Sequence, residues 1–241
     1  MNNYDVIARF YDAFVDDPGK KAKWLKRLIQ KHHPSAKSVL ELACGSGSIL
    51  KHLSKDYQVT GLDNSAGMLA IAREKLPQTT FIEADMSDFN INTKFDAVIC
   101  VYDSINHLLG FSQWKSMFAT AAKHLNPSGL FIFDMNTIEF LHKLNRSEPS
   151  VSSFEGSNTL KITARPNDAG ITTLEIKIAE IEPDGSTKVS TSDIPETSFD
   201  LAKVASALNH NFDILEQLDE RAYKDDDYDN KVFFVCRLGP Q

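Results

Sequence analysis

An apolar run that ends in an acid and breaks at once into a glycine turn is the most constraining feature of this chain: Val39-Leu40-Glu41-Leu42-Ala43-Cys44-Gly45-Ser46-Gly47-Ser48. A helical pattern follows from Ile49 to Leu53, and the next short apolar stretch, Tyr57 to Leu62, closes on a second acid, Asp63. Strand, glycine turn, helix and strand together form the unit from which parallel sheets are wound. Its chemistry suits a nucleoside. Glycines admit a ligand close to the backbone, a helix N-terminus offers free N–H groups, and an acid ending the second strand accepts from ribose hydroxyls.

The dinucleotide fingerprint needs a third glycine, for close helix–strand packing beside a pyrophosphate. Here that position is Leu50. An acid just before the glycines, Glu41, also repels a pyrophosphate but suits a cation. S-adenosylmethionine (SAM) carries a sulfonium and an ammonium and no phosphate, so it fits this pattern better than NAD.

At 241 residues, the chain fits one large domain or a domain with an insertion. Its 42% apolar and 24% charged residues are those of a soluble globular protein. No apolar run approaches a bilayer span and the N-terminus lacks a signal-peptide pattern, so the expectation is cytoplasmic and without membrane contact. Cys44, Cys100 and Cys236 are widely spaced within apolar runs and read as buried free thiols, not as a zinc site. A net charge of −7 argues against a dedicated nucleic-acid binder.

Periodicity places a helix over Lys21–Lys31, through Trp24, Leu25, Leu28 and Ile29, and a shorter one over Tyr4–Asp12. Strands Ser38–Leu42, Gln58–Leu62, Phe81–Ala84, Phe95–Val101 and Leu130–Met135 alternate with helices Ile49–Lys55, Ser65–Leu76 and Gln113–Leu125. After Asn136 the texture changes. Alternating runs at Leu160–Ala164, Thr172–Glu182 and Lys188–Ser192, with a turn at Pro183-Asp184-Gly185, indicate an antiparallel insertion over 137–196. Thr197-x-x-Asp200 reads as a capping box opening a helix to Leu208, and Phe212–Leu218 and Val232–Leu238 are closing strands.

These spaced segments resemble the class I SAM-dependent methyltransferases, of the small-molecule type with a β-insertion after strand 5. Glu41-Leu42-Ala43-Cys44-Gly45-Ser46-Gly47 is similar to the family's first motif, and Gly61-Leu62-Asp63-Asn64-Ser65-x-x-Met68-Leu69 to its second-strand acid and following helix. Glu83-Ala84-Asp85-Met86, Phe95-Asp96-Ala97-Val98 and Leu125-Asn126-Pro127-Ser128-Gly129-Leu130 resemble three further motifs. The resemblance implies an α/β fold: a doubly wound, mostly parallel seven-stranded sheet in order 3-2-1-4-5-7-6, with an antiparallel β insertion.

By the same resemblance, SAM would lie on Tyr11, Glu41, Ala43, Gly45, Gly47, Asp63, Asn64, Met68, Asp85, Met86 and Tyr102. Gly45 and Gly47 would meet its methionine part and Glu41 its ammonium. Asp63 would grip the ribose, Asn64 and Met68 would flank the adenine, and Asp85, with Met86 nearby, would accept from the adenine amine. Tyr102 would pass near the reactive methyl. Tyr4 and Tyr11 either close over SAM or pack in the core. The family's Asp/Asn-Pro-Pro-Tyr/Phe signature is absent after strand 4, which argues against DNA adenine and protein glutamine as acceptors. Among relatives that carry His and Arg in the insertion's last strand, this chain departs, reading Ser190-Thr191-Ser192-Asp193-Ile194-Pro195-Glu196.

Asp103 and His107 follow strand 4 and are the candidates for a general base. The competing reading has Asp103 or Ser104 capping a short helix with His107 packed beneath. Asn136 stands at the carboxyl edge, where sites form in open α/β sheets, or else steadies the turn into the insertion. Asp225-Asp226-Asp227-Tyr228-Asp229 lacks calcium-loop spacing and reads as a solvated loop, and Lys20-Lys21-x-Lys23 as one wet helix face. No metal is expected.

The division that follows is 1–36 covering the cofactor, 37–136 with 197–241 binding it, and 137–196 forming an acceptor lid or a homodimer contact. The activity expected is methyl transfer from SAM to a nitrogen or oxygen of a small metabolite. The alternatives are a SAM-binding sensor or partner subunit without transfer, and, with less support, an NAD-linked oxidoreductase.

Overall fold

The computed structural model describes residues 3–14, 17–219 and 231–240; the Asp225–Asp229 run lies outside them. Two 3-10 helices, Asn3–Val6 and Ala8–Ala13, open the chain. Helix α1 (Pro18–His32) starts on Asp17, whose side chain accepts from the Gly19 and Lys20 N–H groups, with Pro18 in the first turn where no N–H is needed.

Strands β1 (Ser38–Leu42), β2 (Gln58–Asp63), β3 (Thr80–Glu83), β4 (Phe95–Cys100) and β5 (Leu125–Asn136) alternate with helices α2 (Ser48–Leu53), α3 (Ala66–Lys75) and α4 (Phe111–Lys123). Strand β5 starts earlier than its apolar pattern. The Asn126–Gly129 turn is absorbed as an irregularity, the register on β4 stepping from Phe95↔Leu125 to Ala97↔Leu130, with Ser128 at φ 62°.

Helix α5 (Ile138–Leu144) then leads into β6 (Ser150–Phe154), β7 (Asn158–Pro166), β8 (Thr172–Ile181) and β9 (Thr187–Glu196), an antiparallel four-stranded sheet in that order. Neither α5 nor β6 stood out in the sequence: one is a single short helix and the other a serine-rich edge with little apolar signal. Helix α6 (Leu201–Leu208) is capped by Asp200, which accepts from the Lys203 N–H at 3.0 Å, so the helix begins three residues later than the Thr197 box implied. Strands β10 (Phe212–Asp219) and β11 (Lys231–Leu238) complete the main sheet, whose order is β10-β11-β5-β4-β1-β2-β3, with β11 antiparallel to both neighbours. With the insertion strands left out of the count, this is the 3-2-1-4-5-7-6 order expected.

Alternation assigns the two faces. Val98, Cys100, Phe131 and Phe133 pack with Trp114 and Phe118 of α4 and with Val204 and Leu208 of α6. Ala97, Ile99, Leu130 and Ile132 meet Trp24, Leu25, Leu28 and Ile29 of α1 and Ile49 and Leu53 of α2. The insertion sheet turns Leu160, Ile176, Ile178 and Ile194 onto Ile7 and Phe10 of the N-terminal segment. All three cysteines are buried and free. Among the described residues, no helix is long and apolar enough to cross a membrane.

Lys21 corrects the wet-face reading of Lys20-Lys21-x-Lys23. It lies three residues before Trp24 on the buried face of α1, is 1% exposed, and donates to Asp134 at 2.9 Å. Asp134 shares the face of Leu130 and Ile132 by strand parity, which delivers its carboxylate to α1.

Candidate active site

The turn after β1 takes its shape from left-handed backbone at Ala43 (φ 52°), Gly45 (φ 51°) and Gly47 (φ 73°), the last preceding α2. Such φ values cost a glycine little, and Ala43 holds its own at some strain. Asp63, at the end of β2, bridges this turn to the next: its Oδ2 accepts from the Gly45 N–H and its Oδ1 from the Ser65 N–H, both at 2.8 Å. Burial still pushes the Asp63 carboxyl above its ordinary range, against those backbone donors.

Glu41 stands behind the turn, 3% exposed, with Oε2 lacking any hydrogen-bond partner among the described residues. Burial, and then the Asp63 charge, push its carboxyl well above the usual range. A buried acid with an unfilled oxygen is costly unless a donor arrives.

The N-terminal segment is pinned across this turn by two acids the sequence reading passed over. Asp5 Oδ1 accepts from the Ser65 hydroxyl (2.6 Å) and the Gly67 N–H (3.0 Å), at the start of α3. Asp12 Oδ1 accepts from the Ser46 (2.5 Å) and Ser48 (2.8 Å) hydroxyls, and its Oδ2 pairs with Lys75. Tyr11 is thereby set against the glycine turn, its ring edge 3.9 Å from where a Gly45 Cβ would be. Tyr4 goes to the other side, its hydroxyl 2.9 Å from His107 Nε2.

Where β4 ends, Tyr102 (φ 60°) and Asp103 (φ 53°) are both left-handed, a strained pair for side chains of this size. Asp134 Oδ1 holds the bend by accepting the Asp103 N–H at 2.6 Å, while the Lys21 ammonium lies 3.9 Å from the Tyr102 ring centre. Asp103 precedes a 3-10 helix, Ser104–His107, but its carboxylate does not cap it. Asp103 Oδ1 instead pairs with Lys231, and Oδ2 accepts from Asn136 Nδ2 at 2.9 Å. Burial acts to raise the Asp103 carboxyl, but Lys231, with smaller contributions from His107 and Lys21, outweighs it and holds it below the ordinary range.

His107 Nδ1 lies 3.3 Å from the Pro195 carbonyl, so the Nδ1–H tautomer donates there and Nε2 accepts from Tyr4. Burial lowers its pKa, which favours that neutral ring.

Glu41, Gly45, Asp63, Tyr11, Tyr102, Asp103 and His107 therefore gather at the carboxyl edge of the sheet. Three other candidates are less engaged. Asn64 is exposed, Asp85 is exposed with Oδ1 filled by the Ser87 N–H and hydroxyl, and Met86 packs inward with its sulfur 4.0 Å from that of Cys100. Met68 is buried in α3. Lys21, Asp134, Glu196 and Lys231 were missed. Asp134 alone gave a signal, as one acid inside the apolar run Phe131-Ile132-Phe133-Asp134-Met135.

Residues 39–129 match the family model of the methyltransferase domain. Around this segment, the fold superposes on a SAM-dependent methyltransferase from Clostridium acetobutylicum with a TM-score of 0.85, at 21% identity, covering 98% of this chain and 97% of the other. DesVI of Streptomyces venezuelae gives 0.82 at 24% identity over 99% of both chains. In sequence, the chain is similar to the dTDP-3-amino-3,6-dideoxy-alpha-D-glucopyranose N,N-dimethyltransferase of Streptomyces fradiae, 38% identical over 53% of this chain and 52% of the relative. It is also similar to the dTDP-3-amino-3,4,6-trideoxy-alpha-D-glucopyranose N,N-dimethyltransferase of Streptomyces venezuelae, 33% identical over 56% and 57%. The chain spans about half the length of the curated relatives it matches. The matched segment runs from β1 to the turn of β5, and so carries the glycine turn, Asp63 and Asp103–His107.

Proposed function

We propose that this protein is a SAM-dependent methyltransferase that methylates a nitrogen of a small metabolite. The observation that carries the reading is Glu41: a buried carboxylate oxygen without a donor, beside a glycine turn and a ribose-competent Asp63. That set fits SAM, whose ammonium supplies the missing donor, and repels a pyrophosphate. Glu41 would hold the ammonium, the Ala43–Gly47 backbone the methionine part, Asp63 the ribose, and Asn64, Met68, Asp85 and Met86 the adenine region. Relatives named as sugar N,N-dimethyltransferases favour nitrogen over oxygen as the accepting atom.

Bound SAM supplies a methyl group already activated by its sulfonium. The protein is left with orientation, exclusion of water and proton removal, of which orientation can be worth about 7–11 kcal/mol. Tyr4 and Tyr11 cover the site, and the bend at Tyr102–Asp103 fixes where the acceptor faces. His107, neutral with Nε2 as its lone-pair nitrogen, or Asp103, takes the proton that the methylated nitrogen gives up.

On this reading residues 37–136 and 197–241 bind the cofactor, 1–36 cover it, and 137–196 wall off the acceptor. The exposed edge of β6 would offer pairing to a second copy as a homodimer. Three buried free thiols suit a reducing cytoplasm.

Calorimetric titration with SAM and, separately, with NAD and NADH tests the reading. Micromolar SAM binding that weakens in Asp63→Ala is expected. Binding of NADH in place of SAM would overturn it, and absence of turnover with every acceptor despite SAM binding would point to a sensor.

A further inference from the structure

A cavity of about 270 Å³ lies between the carboxyl edge of the main sheet and the insertion. One end is polar, lined by Asp103, Asn136, Glu196 and Lys231; Phe140, Leu144, Ile162 and Leu174 line it as well. Asn136 organises the polar end. Its Nδ2 donates to Asp103 Oδ2 and to Glu196 Oε2, each at 2.9 Å, which commits both amide hydrogens. Its Oδ1 is left buried with no partner among the described residues, on a residue only 3% exposed. Glu196, at the last position of β9, is 2% exposed.

On the reading that the protein is a SAM-dependent methyltransferase, we propose that this cavity is the acceptor site and that it selects a small amine carrying no phosphate, with Glu196 and Asn136 holding the nitrogen. Among the described residues, three acids line the cavity, Asp103, Glu148 and Glu196, against one cation, Lys231, which is already paired with Asp103. A phosphate placed here meets like charge and finds its one cation engaged. An ammonium finds an unfilled carbonyl and a carboxyl group at one end, and carbon surface for its body. Burial and the Asp103 charge push the Glu196 carboxyl up to about 8, opposed by Asn136 and Lys231. An entering cation therefore gains from ionising Glu196, whereas a neutral alcohol does not. Among the described residues, this lining holds no second cation to meet the phosphates of the dTDP-linked sugars named for the relatives.

The test is ligand-observed NMR at neutral pH with cyclohexylamine, cyclohexanol and cyclohexyl phosphate, which share a ring and differ in head group. The amine is expected to bind about tenfold or more tightly than the other two. Glu196→Gln should abolish that preference while leaving the weak alcohol binding, and Ala164→Phe, which fills the cavity without touching charge, should remove binding of all three. Phosphate binding as tight as the amine, an amine preference that survives Glu196→Gln, or no binding by any probe would each overturn the proposal. SAM titration of the same samples separates the two levels. SAM binding without amine preference sinks the acceptor assignment alone, and amine preference without SAM binding sinks the methyltransferase reading.

Discussion

The Lys21 ammonium lies 2.9 Å from the Asp134 carboxylate, with the two side chains 1% and 0% exposed. The second oxygen of Asp134 accepts the Asp103 N–H, so one carboxylate ties α1 to the strained bend that presents the candidate base. Burial lowers the Lys21 pKa despite this partner, a sign that desolvation outweighs the attraction.

Removing one partner leaves the other charge buried and uncompensated. Lys21→Met is expected to cost about 3–5 kcal/mol in urea unfolding. The double variant Lys21→Met/Asp134→Asn keeps an acceptor for the Asp103 N–H and should recover most of that loss. Equal losses in the single and double variants would show that the pair is not what holds α1 in place.

Glu41 pits stability against binding. Glu41→Gln removes a buried ionisable group that has an unfilled oxygen and is held above its usual range, so thermal unfolding without cofactor should occur at the same or a higher temperature. SAM affinity should fall by about 10- to 100-fold, the worth of a hydrogen bond between charged groups at roughly 1.5–3 kcal/mol. Calorimetry and a thermal scan on one preparation read both signs.

Stability should also depend on pH through Glu196. Its carboxyl moves from an ordinary 4.5 to about 8 on folding, with Asp103, Lys231 and Tyr4 as its charged or titratable neighbours. The folded state then binds the extra proton, so this contribution is complete below 4.5 and is lost as pH rises through about 8. Urea midpoints across that window should fall with pH in the parent protein and flatten in Glu196→Gln.

Tyr4→Phe removes the hydroxyl that donates to His107 Nε2. The neutral ring loses a stabilising partner, so the His107 pKa should rise by about 0.5–1 unit, as expected for a bond of ~1 kcal/mol. If His107 is the base, the acid limb of kcat/KM moves up in pH by that amount, whereas an unmoved limb would assign proton removal elsewhere.

The wound sheet, the glycine turn and Asp63 were legible in the sequence because each rests on local pattern. Alternation, helical period and residues that tolerate left-handed backbone report on neighbours a few positions away. The same patterns misplaced the start of α6 by three residues and missed β6, where a capping motif and a polar edge carry weak local signal.

The contacts around the candidate site were not legible, because they join residues far apart in the chain. Tyr4 and His107 are 103 positions apart, Asp103 and Lys231 are 128, and Asn136 and Glu196 are 60. Lys21 shows why. In sequence it is one of several lysines on an amphipathic helix, and nothing within a few residues distinguishes it from the solvated ones. Only the packing of α1 on the face that carries Asp134 fixes which lysine loses its water, and burial of that charge is worthwhile only where a partner from another strand is already in place. The sequence by itself determined that a wound parallel sheet with a glycine turn after its first strand would form, with an insertion after its fifth strand. The tertiary structure decided which charges that insertion and the N-terminal segment would bring to its edge.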